Sequence, residues 1–223
     1  MMTRFSLPLS VVAVFAVTVS PVFADALPRV AVPSSVVLAS GAVSEKDAQA
    51  FIDKVAARGI SFLSTNKGDM TEQRRKFRDL LRDSFDLSTI GRFAVGKYWR
   101  AASTAQRSEY QRLFEDLVVD TYAARFSNYK DQKLVVRGAK TVEGGDVMVT
   151  SQIVPADGSE KVNLDWRVRG TNGSFKVVDV VIEGVSMAVT QRSDFAGLIG
   201  QKNGDIGTLI DYLKNRKSDT TTR

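Results

Sequence analysis

Asp179 and Glu183 are the two carboxylates in this sequence that come nearest to a catalytic pair. They lie four positions apart in a predicted strand, where even spacing places side chains on the same face. Paired carboxylates act as acid and base when their surroundings separate their pKa values. Gly184 follows directly, however, and predicts a β-bulge that disrupts this geometry. Asp179 is better explained as the anchor of a turn or the partner of Lys176, so we predict no catalytic residue.

The sequence lacks the residues that most other site chemistries require. It contains no cysteine and no histidine, which removes disulfides, thiolate and imidazole metal ligands, and the Ser-His and Cys-His nucleophilic pairs. Gly144-Gly145 has neither the lysine nor the flanking pattern of a phosphate-binding loop and indicates a turn. We therefore predict no metal, no cofactor and no enzymatic activity.

The N-terminal residues have the pattern of a cleavable export signal. Arg4 supplies positive charge, residues 7–19 form an apolar run too short to span a bilayer comfortably, and small residues precede a cleavage site after Ala24, with a second possible site at Ala26. We expect a periplasmic protein. The predicted organisation is a signal peptide at residues 1–24, a flexible leader at 25–43, one domain at 44–216 and a polar tail at 217–223.

The composition fits one globular domain. The chain has 223 residues, 43% of them apolar and 25% charged, with a formal net charge of +6. A basic exported protein meets anionic membrane surfaces or acidic partner proteins more readily than nucleic acid. We expect no nucleic-acid partner.

Apolar residues recur every three or four positions through the first half of the domain, as in amphipathic helices. The longest predicted helix begins at Ser103, where a capping box with Gln106 is expected, and it carries one uncharged apolar stripe. Helices are predicted at residues 44–65, from 71 onward, at 86–95, at 103–129 and around 205–214.

From residue 133 the pattern changes to short apolar runs with glycine-containing turns. Val162, Leu164 and Trp166 alternate with polar residues, as in a half-buried antiparallel strand. The alternation changes phase at Glu183-Gly184, which predicts a bulge and a bent last strand. Strands are predicted at residues 133–140, 146–155, 161–169 and 175–190.

Helices followed by an antiparallel meander predict an α+β fold, with N-terminal helices packed on a curved sheet of about four strands. Such a layer pair can enclose a concave apolar cavity, which is the usual form of a ligand pocket.

Two parts of the chain resemble a known family. Residues 85–100 and 103–129 are similar to its helices with the patterns F-D-x-x-x-I-x-x-x-x-x-G-x-x-W and Q-R-x-x-(Y/F)-x-x-x-F. Residues 177–187 resemble its strand V-x-D-(apolar)-x-(apolar)-E-G-V-S-M, which is the most specific part. The family is the Mla-pathway periplasmic phospholipid-binding protein (MlaC), also called the toluene-tolerance auxiliary component, and the likeness extends over about residues 44–216.

The resemblance implies a fold of the cystatin or nuclear-transport-factor-2 type with an apolar cavity. It also implies a periplasmic lipid carrier that exchanges phospholipid with an inner-membrane ABC transporter complex containing an MCE-domain protein, and with an outer-membrane lipoprotein–porin complex, maintaining outer-membrane lipid asymmetry. By position, Tyr122, Val162 and Val185 fall where family members line the tail pocket. With neighbouring apolar side chains of the long helix and the sheet, the predicted lipid-binding residues are Phe114, Tyr122, Phe126, Val162, Leu164, Trp166, Val185 and Met187.

Three alternatives stay open on the sequence. One branch of the family accompanies hopanoid synthesis, so the ligand could be a triterpenoid. Cone-shaped α+β folds also host isomerases and dehydratases, which here would depend on Asp, Glu or Tyr deep in the cavity. A third possibility is an adaptor without lipid, which contacts membrane complexes through its basic surface.

Overall fold

The fold is seen in a computed structural model that describes residues 44–65, 68–126, 129, 131–171, 173–201 and 204–221. The predicted signal peptide and leader, residues 1–24 and 25–43, lie outside the described residues. Within the described part of the chain, no helix combines the length and apolarity needed to cross a bilayer.

Local capping explains where several helices begin. Asp86 accepts a hydrogen bond from the Thr89 backbone N–H at 2.9 Å. The predicted capping box is confirmed: Ser103 accepts from the Gln106 N–H at 3.2 Å, and the Gln106 side chain accepts from the Ser103 N–H at 2.9 Å. The helices are α1 (Glu45–Thr65), α2 (Met70–Ser84), α3 (Leu87–Val95), α4 (Tyr98–Ala101), α5 (Thr104–Ala123), α6 (Met187–Gly200) and α7 (Ile206–Thr221).

The strands form one antiparallel sheet in sequential order, β1-β2-β3-β4-β5. The predicted α+β class is confirmed, and a short fifth strand completes the sheet. The strands are β1 (Lys133–Thr141), β2 (Val147–Val154), β3 (Val162–Thr171), β4 (Ser174–Ile182) and β5 (Val185–Ser186).

The C-terminal half of the predicted last strand, residues 175–190, is wrong. Strand β4 ends at Ile182, and Glu183 and Gly184 have φ values of 48° and 79°. Two consecutive positive φ angles are typical of the type I′ hairpin turn, which glycine adopts without steric cost. The phase change in the sequence therefore marks a tight turn rather than a bulge, and the chain after it becomes helix α6.

Other predicted boundaries shift as well. Helix α5 ends at Ala123 rather than at residue 129, and α1, with 21 residues, is slightly longer than α5, with 20. Helix α7 continues beyond its predicted end to Thr221.

The sheet bends at two irregularities elsewhere. The β1–β2 register shifts between Val136 and Gly138, and the β3–β4 register shifts between Arg167 and Val168. Each shift leaves one extra residue on one strand of the pair, which increases local twist and bending. The predicted bend of the sheet thus has its physical source in these positions, not at Glu183.

Two apolar cores hold the layers together. Helix α1 packs on β1 and β2, where Ala48 and Ile52 are fully buried against valines of the sheet. A second core lies among α3, α5, α6 and α7 and is centred on Tyr110 and Phe195. Ion pairs join α2 to α5, with Arg78 contacting Glu115 and Asp116 at 2.7 and 2.9 Å, and these bonds connect two elements of the helical layer directly.

Candidate functional site

The helix-facing side of the sheet is largely apolar but unevenly covered. At one end, which we call the closed half, Val147, Val149, Val168 and Val177 are all 0% exposed and belong to one buried cluster with Ala48 and Ile52 of α1. Because side chains alternate along a strand, the same face continues toward the other ends of β2, β3 and β4. The inner surface therefore extends beyond the fully buried valines.

At the other end, which we call the open half, the inner surface stays partly exposed. Ile153 pairs with Val162 across β2 and β3, and Ile182 pairs with Leu164 across β3 and β4. Ile153, Val162 and Ile182 are each only half-buried. Three neighbouring aliphatic side chains that face the helices and retain contact with water form a candidate binding surface for an apolar ligand.

The polar atoms between the two halves are satisfied within the sheet. The Trp166 Nε1–H donates to Ser151 Oγ at 3.0 Å, and the Ser151 hydroxyl donates to the Leu164 carbonyl oxygen. These bonds leave no unpaired donor or acceptor of the Ser151 or Trp166 side chains directed at a ligand. Recognition on this surface must rest on apolar contact.

The helical layer contains an aromatic cluster that includes Phe126, one of the predicted lipid-binding residues. Phe126 follows the end of α5, and its ring lies 5.8 Å from Phe62 of α1 and 5.1 Å from Phe77 of α2, both in edge-on geometry. Phe51 packs against both this aromatic cluster and the sheet core. Tyr122, one turn before Phe126, is half-buried, and its burial raises the pKa of the phenol, an effect that the charge of Arg125 partly opposes.

The structure brings some of the predicted lipid-binding residues together and separates others. Val162, Leu164 and Trp166 share the inner face of β3, as the alternation predicts. Phe114 instead lies 2% exposed in the helical core, its ring 5.9 Å from Tyr110 and 6.4 Å from Phe195.

The remaining predicted residues lie where the sheet joins α6. Val185 is in β5, opposite Ile182, and is 53% exposed. Met187 is the first residue of α6 and is half-buried. Val185 therefore borders the open half, because it pairs with Ile182. Met187 instead begins α6, a helix that the sequence did not predict.

The two carboxylates that resemble a catalytic pair each hold local backbone. Asp179 accepts from the Ser186 hydroxyl at 2.5 Å and from the Ala188 N–H at 3.0 Å, which confirms its predicted role as the anchor of a turn. Lys176 does not pair with it, since its ammonium group donates to carbonyl oxygens at the end of α2. Glu183 accepts from the Asn163 backbone and side-chain amides.

The described residues contain no group of three or more acidic side chains arranged to hold a metal ion.

Sequence reasoning missed two members of the open half, Ile153 and Ile182. The signal that could have found Ile153 is the alternation of side chains along a strand, because Ile153 is an even number of residues from the buried Val147 and Val149. Applying the alternation to β2 and β4 as well as to β3 would have found both residues.

These features define a class of protein, an α+β fold with an open antiparallel sheet whose helix-facing side is apolar and incompletely covered. The family model described as MlaC protein matches residues 49–215. The match covers most of the chain, and the chain belongs to the MlaC family, as the sequence motifs predict.

Known relatives agree with this membership. The intermembrane phospholipid transport system binding protein MlaC of Haemophilus influenzae is 24% identical over 184 residues, which are 79% of this chain and 85% of the relative. The toluene tolerance protein ttg2D of Pseudomonas putida is 24% identical over 115 residues, 52% of this chain and 53% of the relative. Among solved structures, the phospholipid-binding protein from Ralstonia solanacearum, in complex with a phospholipid, matches with a TM-score of 0.68 and 25% identity, over 78% of this chain and 98% of that chain.

Proposed function

We propose that this protein is a phospholipid carrier that holds acyl tails against the open half of its sheet. The observation that carries the proposal is the half-buried aliphatic surface of Ile153, Val162 and Ile182, continuous with a fully buried apolar face. The similar protein from Ralstonia solanacearum, whose structure includes a phospholipid, supports the choice of ligand.

The physical need for a carrier follows from the ligand. A diacyl lipid has roughly 30 methylene groups, and exposing each to water costs about 0.8 kcal/mol, so on the order of 24 kcal/mol opposes free diffusion through an aqueous gap. A protein surface as apolar as the bilayer interior removes most of that cost without covalent chemistry. The satisfied polar atoms of Ser151 and Trp166 suit a ligand that offers no hydrogen bonds along its tails.

The same proposal places the protein in the periplasm, where it exchanges phospholipid with an inner-membrane ABC transporter complex containing an MCE-domain protein and with an outer-membrane lipoprotein–porin complex. The name of the Haemophilus influenzae relative, a binding protein of an intermembrane phospholipid transport system, supports this role. The expected signal cleavage after Ala24 is tested by the N-terminal mass of protein recovered from a periplasmic fraction.

Lipid content is the direct test. The full chain, expressed with its predicted signal peptide and purified without detergent, should carry phospholipid detectable by native mass spectrometry and by lipid extraction. After lipid removal it should take up phospholipid again from vesicles. A triterpenoid in place of phospholipid would identify the ligand as hopanoid, and protein that is uniformly free of lipid and takes up none would contradict the proposal.

The role in transport requires a second test. Labelled phospholipid in proteoliposomes that contain the inner-membrane complex should reach vesicles that contain the outer-membrane complex through the carrier, and this transfer should be much faster when both complexes are present. Equal transfer without either complex would contradict the shuttle while leaving lipid binding intact.

A further inference from the structure

One surface of the molecule, formed by α3 and α6, combines exposed apolar side chains with cations. Phe93 of α3 is 40% exposed and Val189 of α6 is 57% exposed. Arg192 lies one turn after Val189, and its guanidinium carbon is 4.9 Å from the centroid of the Phe93 ring. These contacts place side chains of both helices on a single exposed surface.

A glycine allows this close approach of the two helices. Gly96 ends α3 with a φ of 60°, and a Cβ added there would lie 3.2 Å from Arg192 Nε. Arg192 therefore extends from the Phe93 ring to the C-terminus of α3, where a cation is favoured by the helix dipole. Lys97 follows directly and lies 5.2 Å over the Tyr98 ring. We name Arg92, Phe93, Lys97, Val189 and Arg192 the basic-apolar face.

Basic residues predominate around this face. Residues 87–108 contain four basic residues and no acidic residue. The neighbouring carboxylates Asp86 and Glu183 are engaged in hydrogen bonds with Thr89 and Asn163. Asp194 lies two positions after Arg192, a rotation of about 200° that turns it to another side of α6.

Cations beside exposed aromatic and aliphatic side chains match the chemistry of a bilayer surface with anionic head groups. The cations meet lipid phosphates, while the ring and the valine enter the outer hydrocarbon layer. An acidic protein partner would match the cations alone, whereas the exposed Phe93 and Val189 beside Arg192 combine charge with apolar surface, which is the combination that an anionic bilayer surface binds.

The face is also continuous with the open half. Val189 follows the exposed Val185 by four residues, since strand β5 leads directly into α6, and Val185 pairs with Ile182 of the open half. We infer that the basic-apolar face docks on anionic phospholipid membranes and brings the open half of the sheet to the bilayer surface. The purpose of this docking rests on the proposed function, whereas the docking itself is a separate property.

Vesicle flotation tests the inference on the full mature chain. The protein should bind phosphatidylcholine vesicles containing about one quarter phosphatidylglycerol, and not vesicles of phosphatidylcholine alone, with binding that weakens as salt is raised. The double variant R92Q/K97Q should lower the partition coefficient about 25-fold, since each cation near an anionic surface contributes about fivefold. Val189→Ser should lower it about threefold through lost apolar contact.

Matched variants away from the face serve as controls. K46Q/K54Q removes two exposed lysines of α1, and Met70→Ser removes a side chain that is 41% exposed. Both should bind anionic vesicles like the wild type, and all variants should keep their thermal unfolding midpoint.

Several results would overturn the inference. These are the absence of binding to anionic vesicles, binding that does not depend on phosphatidylglycerol, and equal losses in R92Q/K97Q and K46Q/K54Q. Vesicle binding that survives in R92Q/K97Q, together with loss of an acidic protein partner, would assign the face to that partner instead. Lipid occupancy measured in parallel keeps the two proposals apart, because a wild type without bound lipid contradicts the carrier function and not the docking.

Discussion

The closed half and the open half of the sheet's inner surface contain the same kinds of residue. In the closed half they stabilise the fold, and in the open half we propose that they bind lipid. In the closed half, Val147 and Val168 form a register pair and are completely buried in one cluster with Ile52 of α1. In the open half, Ile153 and Val162 form an equivalent pair on the same two strands and remain partly exposed. Residue type therefore does not separate stability from binding. What separates them is how completely other side chains cover each position of the strands.

The comparison is tested most directly by replacing one isoleucine with alanine in each half. Ile52→Ala should lower the free energy of unfolding by about 3 kcal/mol, because it leaves a cavity in a fully packed site. Ile153→Ala should lower it by about 1 kcal/mol in lipid-free protein, because the side chain is already partly hydrated. Urea unfolding of delipidated samples measures both. Equal losses would show that the two halves are packed alike.

A charge in the open half should act on lipid rather than on the fold. Val162→Glu should weaken phospholipid binding about thirtyfold, equivalent to about 2 kcal/mol, since a carboxylate beside acyl chains loses its hydration. Gln152→Glu is the control, because Gln152 is next to Ile153 on the opposite face of β2 and its side chain accepts a hydrogen bond from Arg137. Competitive uptake of labelled lipid compares them, and similar affinities would exclude Val162 from the binding surface.

The closed half is further fixed by a buried carboxylate. Asp146 is 2% exposed and accepts from Arg167 at 2.7 Å and from Arg169 at 2.8 and 2.9 Å. Asp146→Asn should lower the free energy of unfolding at pH 7 by about 1.5 kcal/mol, less than for a fully buried ion pair because both arginines are partly exposed. Asp53→Asn, an exposed change on α1, should have little effect.

The same carboxylate predicts a pH dependence. Burial alone would raise the pKa of Asp146, but the hydrogen bonds and charges of Arg169 and Arg167 outweigh it and hold the pKa below its ordinary value. The stabilisation is therefore complete above the unfolded-state pKa of about 3.9 and is lost as pH falls through the folded-state value. The difference in unfolding free energy between wild type and Asp146→Asn should shrink on acidification, and a constant difference from pH 7 to acid would contradict this.

The sequence predicts most of the fold because most of its signals are local. The capping box at Ser103 and the alternation through Val162 to Trp166 depend on residues close in the chain. Helix α6 was missed because Val185, Met187 and Val189 alternate like a strand. Its start depends on Asp179, seven residues before Ser186 and on a different strand, and no local pattern reports that bond.

The candidate site was predicted less completely for the same reason. Phe114 has the spacing of a pocket residue on α5, but the ring of Phe195 from α6 packs against it. Because the sequence did not predict α6, it could not predict that this contact buries Phe114. The alternation of side chains along a strand likewise does not predict how deeply each one is buried. Alternation identifies the inner face of β3, while the tertiary packing around each position decides that Val168 is sealed and Val162 is not.

The smallest effect that we predict tests this long-range start of α6 beside the open half. The Ser186 hydroxyl accepts from the Val189 N–H at 3.1 Å and donates to Asp179, so Ser186→Ala removes both bonds and should lower the free energy of unfolding by about 1 kcal/mol. Hydrogen exchange at Ala188 and Val189 should accelerate, while amides of the closed half keep their protection. Ser193→Ala, an exposed change later in α6, should alter neither. If exchange rises equally in both halves, the edge of the open half unfolds together with the sealed core, and the two regions are one cooperative unit.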